Sequence, residues 1–213
     1  PNVAMKPSGV DWIGDVPGHW AVTRIKNLVS IVKGKKPHLL ATNADTRAPY
    51  LSARVIRGTE EPQYAELSDS QSVMATANDI LIIMDGSNSG EIFTNVAGVV
   101  SSTMGKLNYR SSVTKKMLMY FLDILFDTFN SEKVGAAIPH LDKDAFNKAE
   151  IVLPSICEQE AICSYLDVYV VMIDESIKTI TEQIVTLKSL RQSLIHEAVT
   201  GKIDVADYGY NYE

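Results

Sequence analysis

The sequence predicts an α+β fold, in which a mixed α/β domain is followed by one long C-terminal helix of coiled-coil type. Three observations predict it. Before Pro154 the chain alternates short runs rich in Val, Ile, Leu and Tyr with clusters of Gly, Pro, Asn and Asp, the pattern of strands separated by turns. Residues 115–129, KKMLMYFLDILFDTF, are too long and too rich in Leu and Met for one strand and suit a helix packed on the sheet. After Pro154 neither Pro nor Gly interrupts a helical repeat until Gly201. The expected divisions are residues 1–155 for the mixed domain, 156–200 for the helix and 201–213 for a C-terminal tail.

Within the mixed domain the expected strands are AVTRI (21–25), NLVSIVK (27–33), YLSARVIR (50–57), DILIIM (79–84), AGVVSS (97–102) and KLNY (106–109). No repeat, low-complexity tract or Gly/Ser linker divides them, so they should form one domain. The helix then begins at Ser155-Ile156-Cys157-Glu158, the S-x-x-E form of a capping box, where a hydroxyl and a carboxylate satisfy free backbone amides. Its apolar positions Ile162, Leu166, Tyr169, Ile173, Ile177, Ile180, Ile184 and Leu187 are spaced by steps of 4, 3, 4, 4, 3, 4 and 3. The extra 4-step near Ile173 and Ile177 acts as a stutter that locally unwinds a supercoil. Gly201 is placed to end the helix. About 44 residues at roughly 1.5 Å each make a rod on the order of 65 Å, too long for a compact domain of this size, so the stripe is expected to pack on a partner. The polar face carries Glu158, Glu160, Asp167, Asp174, Glu175 and Glu182. That acidity argues against its lying on a phosphate backbone and favours a protein partner or a second copy.

The chain has 213 residues, 46% of them apolar and 22% charged, with mean hydropathy near zero. This is enough for a real core and excludes a disordered, collagen-like or disulfide-stapled chain. No apolar run approaches the ~20 residues that span a bilayer, and the start lacks the layout of a secretory signal. A cytoplasmic protein without a membrane association is expected. Cys157 and Cys163 are six apart on one helix and point to different faces, so neither a bridge nor a metal site is expected from them. The net charge of −6 hides a partition: residues 21–60 sum to +6, while 61–100 sum to −6 without a single Lys or Arg. A local basic stretch of this kind suits phosphate binding whatever the overall charge, although a solvated basic face has the same composition.

Catalytic signatures are missing. In GSNSG (86–90) Asn88 stands where a nucleophile elbow needs serine. No P-loop, G-x-G-x-x-G or H-E-x-x-H occurs, and His19, His38, His140 and His196 are scattered. DGSNSG (85–90) follows an apolar strand and reads equally as a ligand-contacting loop or a hairpin turn with Asp85 and Gly86 at positive φ. Ser101, Ser102 and Thr103 close another strand and either donate hydroxyls to phosphate or base edges or, the favoured reading, are half-buried strand residues. KGKKP (33–37) concentrates lysines in an irregular loop. Arg54 and Arg57, an odd number apart on a continuous strand, would face opposite sides. Trp12 and Trp20 are expected to pin an N-terminal arm to the core.

SGVDWIGDVPGHW (8–20), IPHLDKDAFNKAEIVLP (138–154), EQEAICSYLD (158–167) and LRQSLIHEAVTGKIDV (190–205) together resemble the specificity subunit of type I restriction-modification systems, in the family's order and over essentially the whole chain. The resemblance implies a target recognition domain followed by a helix. A full subunit carries two of each, with the helices packed antiparallel as a spacer. This sequence has one of each, so it is read either as a half-length subunit that pairs with a second copy or as one half of a longer chain. Double-stranded DNA, a modification (methyltransferase) subunit and a restriction subunit are the implied partners. No cofactor is expected in this chain, S-adenosylmethionine being implied for the modification subunit. The expected function is to direct adenine methylation and cleavage by those partners to a bipartite target, with no catalysis here. The competing reading is a protein-interaction module that dimerises through its helix and binds no DNA. Charge and loop position, not the resemblance, nominate Lys33, Lys35, Lys36, Arg47, Arg54, Arg57, Ser87 and Asn88 as DNA contacts. The helix stripe from Ile162 to Leu187 is nominated as the dimer interface.

Overall fold

A computed structural model describes residues 3–41, 47–66, 71–86, 88–131 and 140–203. In chain order these form β1 (Met5–Pro7), β2 (Asp15–Pro17), β3 (Ala21–Arg24), β4 (Val29–Lys33), β5 (Leu40–Ala41), β6 (Arg47–Leu51), α1 (Ala53–Ile56) and β7 (Tyr64–Glu66). They continue through β8 (Met74–Ala75), β9 (Ile80–Ile83), β10 (Ile92–Phe93), β11 (Gly98–Val100), β12 (Met104–Tyr109), α2 (Lys115–Ser131), α3 (Lys143–Lys148), β13 (Glu150–Leu153) and α4 (Ile156–Val199). The α+β class and the long C-terminal helix are as the sequence predicts. The chain divides into two compact units, Pro1–Ile162 and Cys163–Glu213.

Among the described residues, one sheet has the order β10-β9-β12-β4 and a second the order β5-β7-β6-β11-β8. The apolar run at β9 explains its central place, because all four residues Ile80, Leu81, Ile82 and Ile83 are buried and need neighbours on both edges and both faces. Leu81 and Ile83 join Leu51, Ala75, Val100 and Met104 in a core cluster shared by the two sheets. The amphipathic α2 buries Met117, Leu118, Phe121, Leu122 and Leu125, so the 115–129 run is a helix. Burial of that many large side chains contributes roughly 1.5–3 kcal/mol each before entropy is counted.

The expected strand at 50–57 is corrected. Only Tyr50 and Leu51 extend β6, after which the chain turns into α1, and Ser52 caps it by accepting a hydrogen bond from the Val55 amide at 3.2 Å. A serine side chain offered the backbone a cap that competed with the ladder, and Gly58 at φ +69° reverses the chain behind it. The consequence is functional: Arg54 and Arg57 are three apart on one helical turn, so they share a face instead of opposing each other.

The start of α4 is built as its sequence implies. Glu158 Oε2 accepts from the Ser155 amide (3.0 Å) and the Ser155 hydroxyl (2.6 Å), while the Glu158 amide donates to Ser155 Oγ at 3.4 Å. The other carboxylate oxygen reaches the N-terminal arm, lying 2.6 Å from His19 Nε2 and accepting from Trp20 Nε1 at 3.1 Å. Trp20 thus fastens the arm through its indole N–H. Trp12 does not pack as expected, being 47% exposed. Hydrogen bonds from the Ser155 hydroxyl, His19, Trp20 and the Ser155 amide lower the Glu158 carboxyl from 4.5 to about 2. Because the carboxyl is lowered on folding, its contribution is complete above pH 4.5 and is lost as pH falls toward 2. Glu158→Gln should therefore lower the urea midpoint at pH 7 and narrow the difference between pH 7 and pH 3; an unchanged pH dependence would refute the latch. At the far end Gly201 adopts φ +71°, and the Lys202 amide donates to Glu197 at 2.8 Å, closing the helix as expected.

Candidate nucleic-acid interface

The nominated residues fall into two groups that the fold treats differently. KGKKP begins in β4 with Lys33 and continues as irregular backbone carrying the exposed Lys35 and Lys36. Its path is set by Gly34, which has no room for a side chain: a Cβ there would lie 2.2 Å from the Ser101 carbonyl oxygen and 2.3 Å from that of Val100. The Gly34 amide donates to Met104 O at 2.9 Å, which fastens the loop to the sheet. Lys35 Nζ donates to Gln71 Oε1 at 2.9 Å.

Lys33 is drawn across the sheet. It pairs with Gly105 of β12, whose other neighbour is Ile82 of β9, and its Nζ lies 2.7 Å from Asp85 Oδ2 just beyond β9. The second Asp85 oxygen lies 2.7 Å from His140 Nδ1, and the two residues also form a backbone bridge. Partial burial pushes the Asp85 carboxyl up, but the hydrogen bonds from Lys33 and His140 outweigh it and hold the carboxyl below its usual range. DGSNSG is accordingly the connection of the antiparallel β9–β10 pair. Gly86 and Gly90 take positive φ there, whereas Asp85 does not and acts through its carboxylate.

Three further candidates, Arg54, Arg57 and Asn88, line a cleft of about 410 Å³ between α1 and the β9–β10 loop, together with Tyr50, Asp85 and Thr103 among others. Arg54 Nε lies 3.5 Å from Glu60 Oε2. Arg57 Nη2 donates to Glu91 Oε2, the same oxygen that accepts from Asn88 Nδ2 at 3.0 Å, and the Arg57 guanidinium sits 5.6 Å from the centroid of the Phe93 ring. Ser101, Ser102 and Thr103 are engaged within the fold: the Ser101 and Thr103 hydroxyls share a 3.0 Å hydrogen bond, and the Ser102 amide donates to the Tyr50 hydroxyl. Ser87 and the side chain of Arg47 lie outside the described residues.

The +6 segment is therefore not a bare basic surface. Lys33, Arg54 and Arg57 face Asp85, Glu60 and Glu91, two of these carboxylates coming from the segment that carries no cation. Sequence reasoning missed Glu91 and His140 as members of the site. Their partners lie 34 and 55 residues away, a separation at which no local spacing rule applies. No group of three or more His, Cys, Asp or Glu residues able to hold a metal ion occurs among the described residues. Nor does any described helix have the length and apolarity to cross a membrane.

Comparison with known proteins bears on what such an arrangement is for. A family model described as the type I restriction modification DNA specificity domain matches residues 17–186. The chain is 32% identical over 187 residues to the type I restriction enzyme MjaVIII specificity subunit of Methanocaldococcus jannaschii, an alignment covering 87% of this chain and 43% of that protein. It is 26% identical over 131 residues to the type I restriction enzyme EcoBI specificity subunit of Escherichia coli, covering 61% of this chain and 27% of that protein. In fold it is similar to the HsdS subunit of Thermoanaerobacter tengcongensis, with a TM-score of 0.64, 22% identity, and coverage of 89% of this chain and 47% of that one. The chain thus spans less than half the length of each of these relatives.

Proposed function

This chain belongs to the type I restriction-modification DNA specificity family, and on that footing we propose that it is a DNA-recognition subunit that directs partner enzymes to a bipartite target. The observation that carries the reading is the extent of the family match, which includes both the mixed domain and most of α4. Recognition would combine phosphate contacts, which position the domain, with base-edge contacts, which specify sequence. Lys33, Lys35, Lys36, Arg47, Arg54, Arg57, Ser87 and Asn88 are the proposed contacts. Methyl transfer to adenine, with S-adenosylmethionine bound, and cleavage would belong to separate modification and restriction subunits in the cytoplasm.

The helix supports the second half of the proposal. Along α4, Ile173, Ile177, Ile180, Ile184 and Leu187 are 46–62% exposed, so the stripe from Ile162 to Leu187 offers an apolar surface for a second copy or a second helix of a longer chain. An isologous pair would present two identical recognition domains and read an inverted repeat, with the helices setting the gap. Ile180→Asp combined with Leu187→Asp should halve the mass found by light scattering while near-UV circular dichroism of the recognition domain stays unchanged. A mass unaffected by the double substitution would remove self-association through this stripe.

Co-production with a modification subunit of the same system, followed by mapping of methylated adenine, tests the central claim. A single bipartite motif is expected; no association and no methylated motif would overturn the reading. Lys35→Glu with Lys36→Glu should weaken binding to all duplexes by the same factor and flatten the plot of log affinity against log salt by about 2, because each lost phosphate contact removes a slope of roughly 0.9. Wild-type affinity in that variant would place the loop away from DNA.

A further inference from the structure

We infer that Arg57, clamped between Glu91 and Phe93 at the α1 cleft, reads a base edge of the target, with guanine the base its donors fit, while phosphate binding falls to Lys35 and Lys36. The inference rests on the reading of this chain as a DNA-recognition subunit and assigns separate tasks within it. Two observations carry it.

The first is charge. Affinity for phosphate comes from cations that replace condensed counterions, and a guanidinium already held by a carboxylate replaces few. The cleft adds to this, because Arg54 and Arg57 share its walls with Glu60, Glu61 and Asp85, so that carboxylates outnumber guanidinium groups. A phosphate entering there meets repulsion. A neutral base edge does not, and its hydrogen-bonding groups can meet donors and acceptors alike. The exposed lysine loop is the opposite case, since Lys35 has a neutral amide, Gln71, as its partner.

The second is geometry. One carboxylate oxygen, Glu91 Oε2, receives hydrogen bonds from both Arg57 Nη2 and Asn88 Nδ2, which joins the end of α1 to the β9–β10 loop. The Phe93 ring lies against the same guanidinium, 5.6 Å from centroid to Cζ. Arg57 is therefore held before DNA arrives and loses little side-chain freedom on binding. A guanidinium carries five N–H donors, more than one carboxylate oxygen engages, and their planar fork matches the O6 and N7 acceptors of guanine in the major groove. Glu91 touches no base in this scheme and is a positioning residue.

The test uses the full chain in complex with the modification subunit, duplexes carrying the mapped motif with each base pair replaced in turn, and one unrelated duplex. Arg57→Ala should relax a single motif position from G to any base, lowering discrimination there by roughly 10- to 100-fold. Binding to the unrelated duplex, and its salt dependence, should stay unchanged. Arg57→Lys, which keeps the charge but not the fork, should relax the same position and carries the test if Arg57→Ala fails to fold. Glu91→Ala should degrade that position too, and Glu91→Gln, which keeps an oxygen acceptor, should restore it. A uniform loss on all duplexes with the salt slope flattened by about 1 would make Arg57 a phosphate contact and overturn the inference. So would an unchanged motif with unchanged affinity, in which case the DNA-recognition reading still stands. A wild-type complex that binds no DNA and methylates no motif overturns both.

Discussion

Gln159→Leu is expected to destabilise the recognition domain by about 3 kcal/mol or more, because it removes the partner of three backbone groups at once, at roughly 1–3 kcal/mol each. Gln159 is fully buried on the first turn of α4. Its Oε1 accepts from the Thr114 amide at 2.8 Å, and its Nε2 donates to the carbonyl oxygens of Ser112 and Pro154, both at 2.9 Å. One side-chain amide thereby ties the turn before α2 to the turn before α4. Leucine fills the same space without satisfying any of these groups, and the loss is greatest at the Pro154 carbonyl, whose hydrogen bond to Gln159 is buried. Domains are stable by only about 5–15 kcal/mol, so a loss of this size leaves a substantial unfolded fraction at 37 °C. Urea unfolding followed by tryptophan fluorescence measures it, and a loss below about 1 kcal/mol would show the network to be dispensable. Gln159→Glu separates acceptor from donor, since it keeps an oxygen for Thr114 but sets a carboxylate against two carbonyl groups; it should be no better tolerated than leucine.

Gly34→Ala should cost about 3 kcal/mol or more, the upper range for forcing atoms into filled space, and lower the melting temperature by about 6–12 °C for a chain of this size. The cause is space and not dihedral freedom, since Gly34 is absent from the positive-φ glycines and an added Cβ would meet the Ser101 and Val100 carbonyl oxygens at 2.2 and 2.3 Å. Both obstacles are backbone, at the end of β11 and the first residue of the turn after it, so neither can swing aside as a flexible side chain does. Relief requires the lysine loop to lift from the sheet, breaking the Gly34 amide hydrogen bond to Met104. Alanine should therefore also weaken DNA binding in molecules that remain folded. A melting temperature within 2 °C of wild type would mean that the loop lifts freely.

Features governed by neighbours in the chain were legible in advance. The S-x-x-E start of α4 forms its reciprocal hydrogen bonds, Gly201 ends the helix, 115–129 is helical, and the apolar run within 79–84 is a strand. The failure at 50–57 was one of competition: Ala53, Arg54, Val55 and Ile56 suit either state, and the Ser52 cap with the Gly58 reversal tipped them into a helical turn. Those two residues were the available signal. Trp12 failed for a different reason, since its size suggested burial while its place in the N-terminal arm leaves it half-exposed.

The candidate site was legible as a set of cations and illegible as an arrangement. Composition located positive charge in residues 21–60 and negative charge in 61–100, and local signals placed most of the elements that carry them, because capping, turn formation and hydrophobic periodicity act over a few residues. Which charges meet is set by the fold. Strand order places β4 and β9 on either side of β12 and so brings Lys33 to Asp85, and the turn at α1 carries Arg57 to Glu91. Coulomb attraction acts through space, at distances that sheet register sets and sequence separation does not. Thus, in a segment with six net positive charges, Arg24, Lys33, Arg54 and Arg57 each face a carboxylate, while Lys35 and Lys36 lie exposed.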